Sequence, residues 1–377
     1  MSDNSCEVAI VGLGAMGAAL AWRLAARGVR VIGFDRGRPP HTLGSSSGRS
    51  RIIREAYFEH PQYVPIVQRA YGLWAELESA ARTRLFRASG GLMIGAGDSV
   101  LLHGARESAR RHQLLVQEWS TDEIRQRVPA LLPAPGMRGL FEPRAGVLDP
   151  EGCVRAMLAE AARLGAHLRV DTPVEGWEEI SNGIAVTTGP GAAVICQHLV
   201  LAAGGWLASL VPDLALPLTI ERAVQYWFPT EGDARYSVPQ LPIFLLETAD
   251  GRMLYGLPDQ GHGLKLAEHH AGELTSLDAI VRQVGAEESS HFHAFVVQYV
   301  PDLPHASDAA ICFYTNTPDN HFLLDRHPRH PKVYLLSACS GHGFKFSPAL
   351  GELVADDLMG RPPDLDLAPF RLARLTA

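Results

Sequence analysis

A chain of 377 residues can form two domains with a core each, at a loose ~150 residues per domain, and is too long for a peptide or a disulfide-stapled miniprotein. Hydrophobic residues make up 46% and charged residues 20%, with 36 glycines and 26 prolines, which suits a globular enzyme and leaves no room for long disordered tails. The formal charge of −7 argues against the basic field that nucleic acid or an anionic membrane surface would demand.

The opening MSDNSCEVAIVGLG runs from a short polar lead straight into a strand-like stretch, without the charged and apolar regions of a signal peptide. Residues 7 to 12, EVAIVG, read as a buried strand, followed by Gly12, Gly14 and Gly17 in GLGAMG and then by the helical run AALAWRLAARG. Gly12 makes the tight turn, Gly14 lets backbone approach a pyrophosphate, and Gly17 lets helix pack on strand. The helix N-terminus adds unpaired N–H groups and a partial positive charge. A second strand, VRVIGFD, ends at Asp35, 18 residues after Gly17, where a carboxylate can accept hydrogen bonds from an adenosine ribose. That acid disfavours the 2′-phosphate of NADP, while the motif does not separate NAD from FAD.

An NAD enzyme would normally continue the alternation of strands and helices. Here a Ser/Gly loop leads through Arg49, Arg51 and Arg54 into a strand-like RIIR, then into a helix with Val64, Val67, Tyr71 and Trp74 on one face. Three arginines in six residues most often make a solvated face. Arg51 and Arg54 flank two buried-type isoleucines, however, which points both guanidiniums toward something anionic. Residues 150 to 172 read as helix then strand, and 198 to 211 as strand, glycine turn and helix. The patterns RAVQYWF and FHAFVVQYV suit antiparallel strands. The expected fold class is therefore α/β: a Rossmann-type domain from 1–85, 150–215 and 309–377, interleaved with an α+β substrate domain from 86–149 and 216–308 built on an antiparallel sheet. Near the end, Ser340 to Gly343 form a glycine-bracketed turn before PALGELVADDLM, which aims backbone N–H groups at whatever lies there; a plain loop-to-helix junction is the alternative.

Three of the 34 basic residues are lysines (Lys265, Lys332 and Lys345), so each is a mild flag for chemistry that a guanidinium cannot perform. Cys6, Cys153, Cys196, Cys312 and Cys339 are odd in number and scattered, with no CxxC pair, so neither a disulfide framework nor a metal site is expected. No uninterrupted 18-residue apolar stretch occurs, and RLTA is not a retention or peroxisomal address. The expected location is the cytoplasm.

These residues resemble one family, the monomeric sarcosine oxidase and N-methyltryptophan oxidase group of amine-oxidising flavoproteins. The resemblance runs almost end to end. It rests on the glycine turn with Asp35, GRSRIIREAY, YGLPDQGHGLKLAEHH at 255–270, CFYTNTPDNHFLLDRHP at 312–328 and SGHGFKFSPALGELVADDL at 340–358. It implies FAD as cofactor, attached through a thioether to Cys312, a residue that composition alone would make a buried small hydrophobe. It further implies that Arg54 and Lys345 grip the substrate carboxylate, that Arg51 stands near the flavin, and that Lys265 promotes reaction of reduced flavin with dioxygen. His269 then orients the substrate amine between the walls Tyr255 and Tyr314, for which solvated histidines and core aromatics are the alternatives. Ser45, Gly341, Gly343, Lys345 and the backbone of Val174 complete the cofactor contacts. The implied activity is oxidation of an N-methyl or other secondary amino acid of the sarcosine, N-methyltryptophan or pipecolate type, with dioxygen reduced to hydrogen peroxide. A monomer is implied, with no nucleic acid, membrane or metal partner. A flavin dehydrogenase passing electrons to a carrier, and a noncatalytic dinucleotide-binding module, are the competing readings. The chain departs from the family at Ser46 and Ser47, where histidines are frequent, at Arg49, where an acid is frequent, and in a slightly shorter segment between Tyr255 and Lys265.

Overall fold

Alternating Val, Ala and Ile at the start of the chain form the strand Ser5–Val11, in a computed structural model that describes residues 4–189, 191–338, 340–361 and 364–375. Cys339 lies outside the described residues. This strand is sandwiched in parallel between Val31–Phe34 and Ala192–Leu201, and the parallel set extends to His167–Arg169 on one side and Val333–Ser337 on the other. A hairpin, Gly176–Ile180 with Gly183–Gly189, and the strand Leu323–Arg326 complete an eight-stranded sheet. Parallel strands are buried on both faces, which is why Val31–Phe34 and Val333–Ser337 contain little but apolar residues.

The helices Ala15–Ala25, Pro150–Arg163 and Ser347–Leu358 pack together against this sheet, and Tyr63–Ala81 lies against the last of them. Small residues permit the closest contact: a Cβ on Gly351 would come within 2.8 Å of the backbone of Ala19. As the sequence pattern indicates, Val64, Val67, Tyr71 and Trp74 are buried on one face of Tyr63–Ala81.

The second sheet has nine strands and is antiparallel apart from the pair Gly91–Gly95 and Ile243–Glu247. Its middle includes Thr219–Phe228, Leu264–His269 and Met253–Leu257. A small sheet of Arg51–Ile53, Phe86–Ala88 and Gly146–Leu148 joins the segments that run between the two layers. Two details differ from the sequence expectation. RAVQYWF is a strand, but FHAFVVQYV begins inside the helix Ala286–Val296, which buries Phe292, Phe295 and Val296. The spacing of three then one is helical, and Glu287 and Glu288 favour the N-terminal turn. The strand Asp308–Asn316, most of which the sequence division assigns to the nucleotide side, pairs along its whole length with Thr219–Phe228.

Candidate active site

A cavity of about 440 Å³ runs from Asp35 and Val174, past the glycine turn, to Lys345 and His269. Every expected site residue lines it except Gly17. Gly17 instead seats the helix on the turn, since a Cβ there would stand 1.8 Å from the carbonyl oxygen of Gly12. Gly12 has φ +95°, and a Cβ on it would meet the Ala202 carbonyl oxygen at 2.4 Å, so only glycine fits. Asp35 is buried. Its carboxylate accepts hydrogen bonds from the Leu13 amide at 2.8 Å and the Gly37 amide at 3.0 Å, and His41 Nε2 lies 3.0 Å away. Burial opposes the charge, but His41 and the two amides outweigh it and hold the carboxyl below its ordinary range. Ser46 accepts a hydrogen bond from the Ala15 amide at 3.0 Å, so the Ser/Gly loop closes over the helix N-terminus.

At the far end two cations meet on one aromatic ring. The Arg54 guanidinium, 2% exposed, stands 4.3 Å from the Tyr57 ring centre, and Lys345 Nζ stands 5.2 Å from it. Arg54 donates to both carboxylate oxygens of Glu59, at 2.8 and 3.0 Å, and to the Ala56 carbonyl at 2.8 Å. Lys345 donates to the His342 carbonyl at 2.7 Å and the Tyr57 hydroxyl at 3.3 Å. Burial, with Arg54 adding to it, pushes the Lys345 ammonium down to about 7. Burial also pushes His342 down to about 4, leaving Nδ1 free to accept the Tyr57 hydroxyl at 2.6 Å. Burial resists the charge on Glu59, and Arg54, His342 and Lys345 overcome it, holding this carboxyl below its usual range.

Between the two ends, Lys265 donates to the carbonyls of Gly48 at 2.8 Å and Ser50 at 2.9 Å. Burial pushes its ammonium well down, and neighbouring Arg51 adds to the effect. Arg51 itself donates to the carbonyls of Ser45, Ser47 and Ser50. Glu151 pins this loop by accepting from the amides of Gly48 at 2.7 Å and Arg49 at 3.2 Å. Arg49 turns outward, pairs with Asp308 and lies 4.4 Å over Trp227, so it straps the loop to the second sheet. His269 is driven well below its ordinary value by burial and is neutral, with Nδ1 3.4 Å from the Tyr314 hydroxyl. Gly341, at φ +75°, leaves no space for a Cβ, which would meet the His269 ring at 2.7 Å. The Cys312 thiol is buried on the same wall.

Glu59, Tyr57, His342, Glu151 and Gln225 also shape the site, and sequence reasoning did not single them out. A signal existed for three: Tyr57 ends GRSRIIREAY, Glu59 follows Arg54 by five residues, and His342 sits inside SGHGFKFS.

The model of a family described as FAD dependent oxidoreductase matches residues 7–357. The chain belongs to this family. The flavoprotein is 40% identical over 356 residues to the monomeric sarcosine oxidase of Streptomyces avermitilis, spanning 93% of this chain and 92% of that protein. It is 34% identical over 376 residues to the N-methyl-L-tryptophan oxidase of Salmonella newport, spanning 98% and 99%. Among solved structures, NikD, described as an unusual amino acid oxidase essential for nikkomycin biosynthesis, superposes with a TM-score of 0.84 at 20% identity, covering 98% of this chain and 97% of that one, a likeness of fold. The residues present fit FAD. The turn at Gly12 and Gly14 leaves bare backbone beside a helix N-terminus, Asp35 is an ionised carboxylate at the end of the second strand, where a ribose would fit, and the cavity continues from there to the cationic end. No helix among the described residues is long and apolar enough to cross a membrane.

Proposed function

We propose that this FAD-dependent oxidoreductase is an oxidase of small secondary amino acids, of the sarcosine, N-methyltryptophan or pipecolate type, with dioxygen as acceptor. The observation that carries the reading is the convergence of Arg54 and Lys345 on Tyr57, both side chains buried, beside neutral His269. Arg54 and Lys345 share one carboxylate, Glu59, which leaves the recess open to a second anion, and a substrate carboxylate matches the planar guanidinium. FAD, when bound, supplies the two-electron acceptor: the amino acid gives up two electrons and two protons to become an imine, and dioxygen recovers them as hydrogen peroxide.

Arg54 and Lys345 hold the carboxylate, with Arg54 exchanging its bond to Glu59 for the substrate. His269, uncharged, accepts or donates one hydrogen bond at the amine without repelling it. Ile52, Leu245 and Leu257 supply an apolar wall that keeps water from the reacting carbon. Lys265 offers a fixed positive charge where dioxygen takes up electrons. Cys312, buried in the cavity wall, is the residue we assign to covalent attachment of the cofactor. A reducing compartment suits the four described cysteines, all of them unpaired, and we read the enzyme as a cytoplasmic monomer.

Acid precipitation followed by an absorbance spectrum tests the attachment: yellow colour stays in the pellet, and its release to the supernatant would refute the linkage. A peroxide-coupled screen of sarcosine, N-methyltryptophan and pipecolate tests the reaction. Fast anaerobic bleaching of the flavin followed by slow recovery in air would favour the dehydrogenase instead.

A further inference from the structure

Gln225 is 3% exposed, lines the cavity, and its amide oxygen is buried without a hydrogen-bond partner. An orphaned buried acceptor is costly, so its placement calls for a reason. On the strand Thr219–Phe228, residues Ala223, Gln225 and Trp227 share a face, and Ala223 opposes Cys312 while Trp227 opposes Lys265. Gln225 therefore stands between the thiol and the ammonium. Gly48 shows what it faces. A Cβ at this residue, whose φ is +112°, would meet Gln225 Oε1 at 2.3 Å and Arg51 Nη1 at 2.9 Å, while the Gly48 carbonyl holds Lys265 Nζ at 2.8 Å. An amide oxygen and two like charges thus crowd one glycine. Buried cations repel each other and drive each other toward the neutral form. A neutral amide turned oxygen-first favours both charges without cancelling their field, which a carboxylate would do and a hydrocarbon side chain could not.

We propose that Gln225 is a positioning residue for the oxygen half of the reaction: its amide oxygen, set against the same Gly48 that Arg51 and Lys265 approach, keeps Lys265 charged where dioxygen is reduced. This rests on the oxidase reading above. The other groups facing Lys265 are Arg51, Arg49, Glu151 and the Cys312 sulfur, and all are the same in the variants as in the parent holoenzyme.

Holoenzyme, Gln225→Leu and Gln225→Glu are reduced with dithionite and mixed with air-saturated buffer from pH 6 to 10. The midpoint of the reoxidation rate is expected to move toward acid by roughly half to one pH unit in Gln225→Leu and toward alkali in Gln225→Glu. An equilibrium reading accompanies it: the sulfite dissociation constant of the oxidised flavin at pH 8 rises severalfold in Gln225→Leu. Midpoints that stay in place, or that move the same way in both variants, overturn the proposal. Should Gln225→Leu fail to take up flavin, the isosteric Gln225→Glu decides alone, and no alkaline shift counts against it. Dithionite needs no amine, so a wrong amine substrate leaves this result intact. A wild-type protein that reoxidises slowly at every pH would instead contradict the oxidase reading.

Discussion

Lys345 is buried, with a folded-state pKa near 7 against an ordinary 10.5. The sign follows directly: below about 7 the ammonium is present and can hold a carboxylate, and above it the charge is lost. Titrating the flavin spectrum with isobutyrate, a carboxylate that lacks an amine, should therefore show affinity falling by up to about tenfold per pH unit above that midpoint. Lys345→Gln should weaken binding at pH 6 by at least about tenfold and flatten the profile. An unchanged profile would remove Lys345 from the carboxylate site. Glu59 bears on the same site from the other side. Because both its oxygens already accept from Arg54 Nη2, Glu59→Gln should lower KM several-fold in steady-state assays, and a raised KM would mean that Glu59 serves to aim Arg54. The cations were legible because each lies within a contiguous motif. Gln225 was not: it meets Gly48 only through space, across two segments that no spacing relates.

Helices and strands here depend on a few close approaches. Gly17→Ala would force a methyl group into the Gly12 carbonyl, at a cost of about 1–3 kcal/mol or more, and should reduce flavin content, read from the ratio of visible to protein absorbance. Normal flavin content would show that helix and turn can separate at little cost. Glu142 is a less visible support. It is 1% exposed and its two oxygens accept the amides of Glu55 and Ala56, each at 2.8 Å, so the second sheet holds the segment that carries Arg54. Glu142→Ala strands two buried N–H groups and should cost about 2–5 kcal/mol in a denaturant titration. At this scale the strand–turn–helix signal was strong because Gly12, Gly14, Gly17 and Asp35 are local. The helix Ala286–Val296 was misread because its short apolar run satisfies either period over a few residues.

Neither sheet is made from one contiguous stretch. The parallel layer takes strands from residues 5–34, 167–201 and 323–337, and the other from 91–142 and 219–316. Interleaving was readable from the alternation of patterns along the chain. Membership of Asp308–Asn316 was not, since it depends on hydrogen bonds to Thr219–Phe228 rather than on any property of its own residues. Chain crossing of this kind predicts a single thermal transition: ellipticity at 222 nm and flavin fluorescence should change at the same temperature, and two separated steps would show that the layers unfold alone.

Thr219–Phe228 carries Cys312 on its partner at Ala223 and Lys265 on its other partner at Trp227, four residues or about 13 Å along. The proposed tether and the lysine proposed to face oxygen are thus marks on one ruler, while Arg54 and Lys345 belong to segments outside that sheet. Breathing between the layers would alter how snugly an amino acid sits, yet leave the geometry of reoxidation untouched.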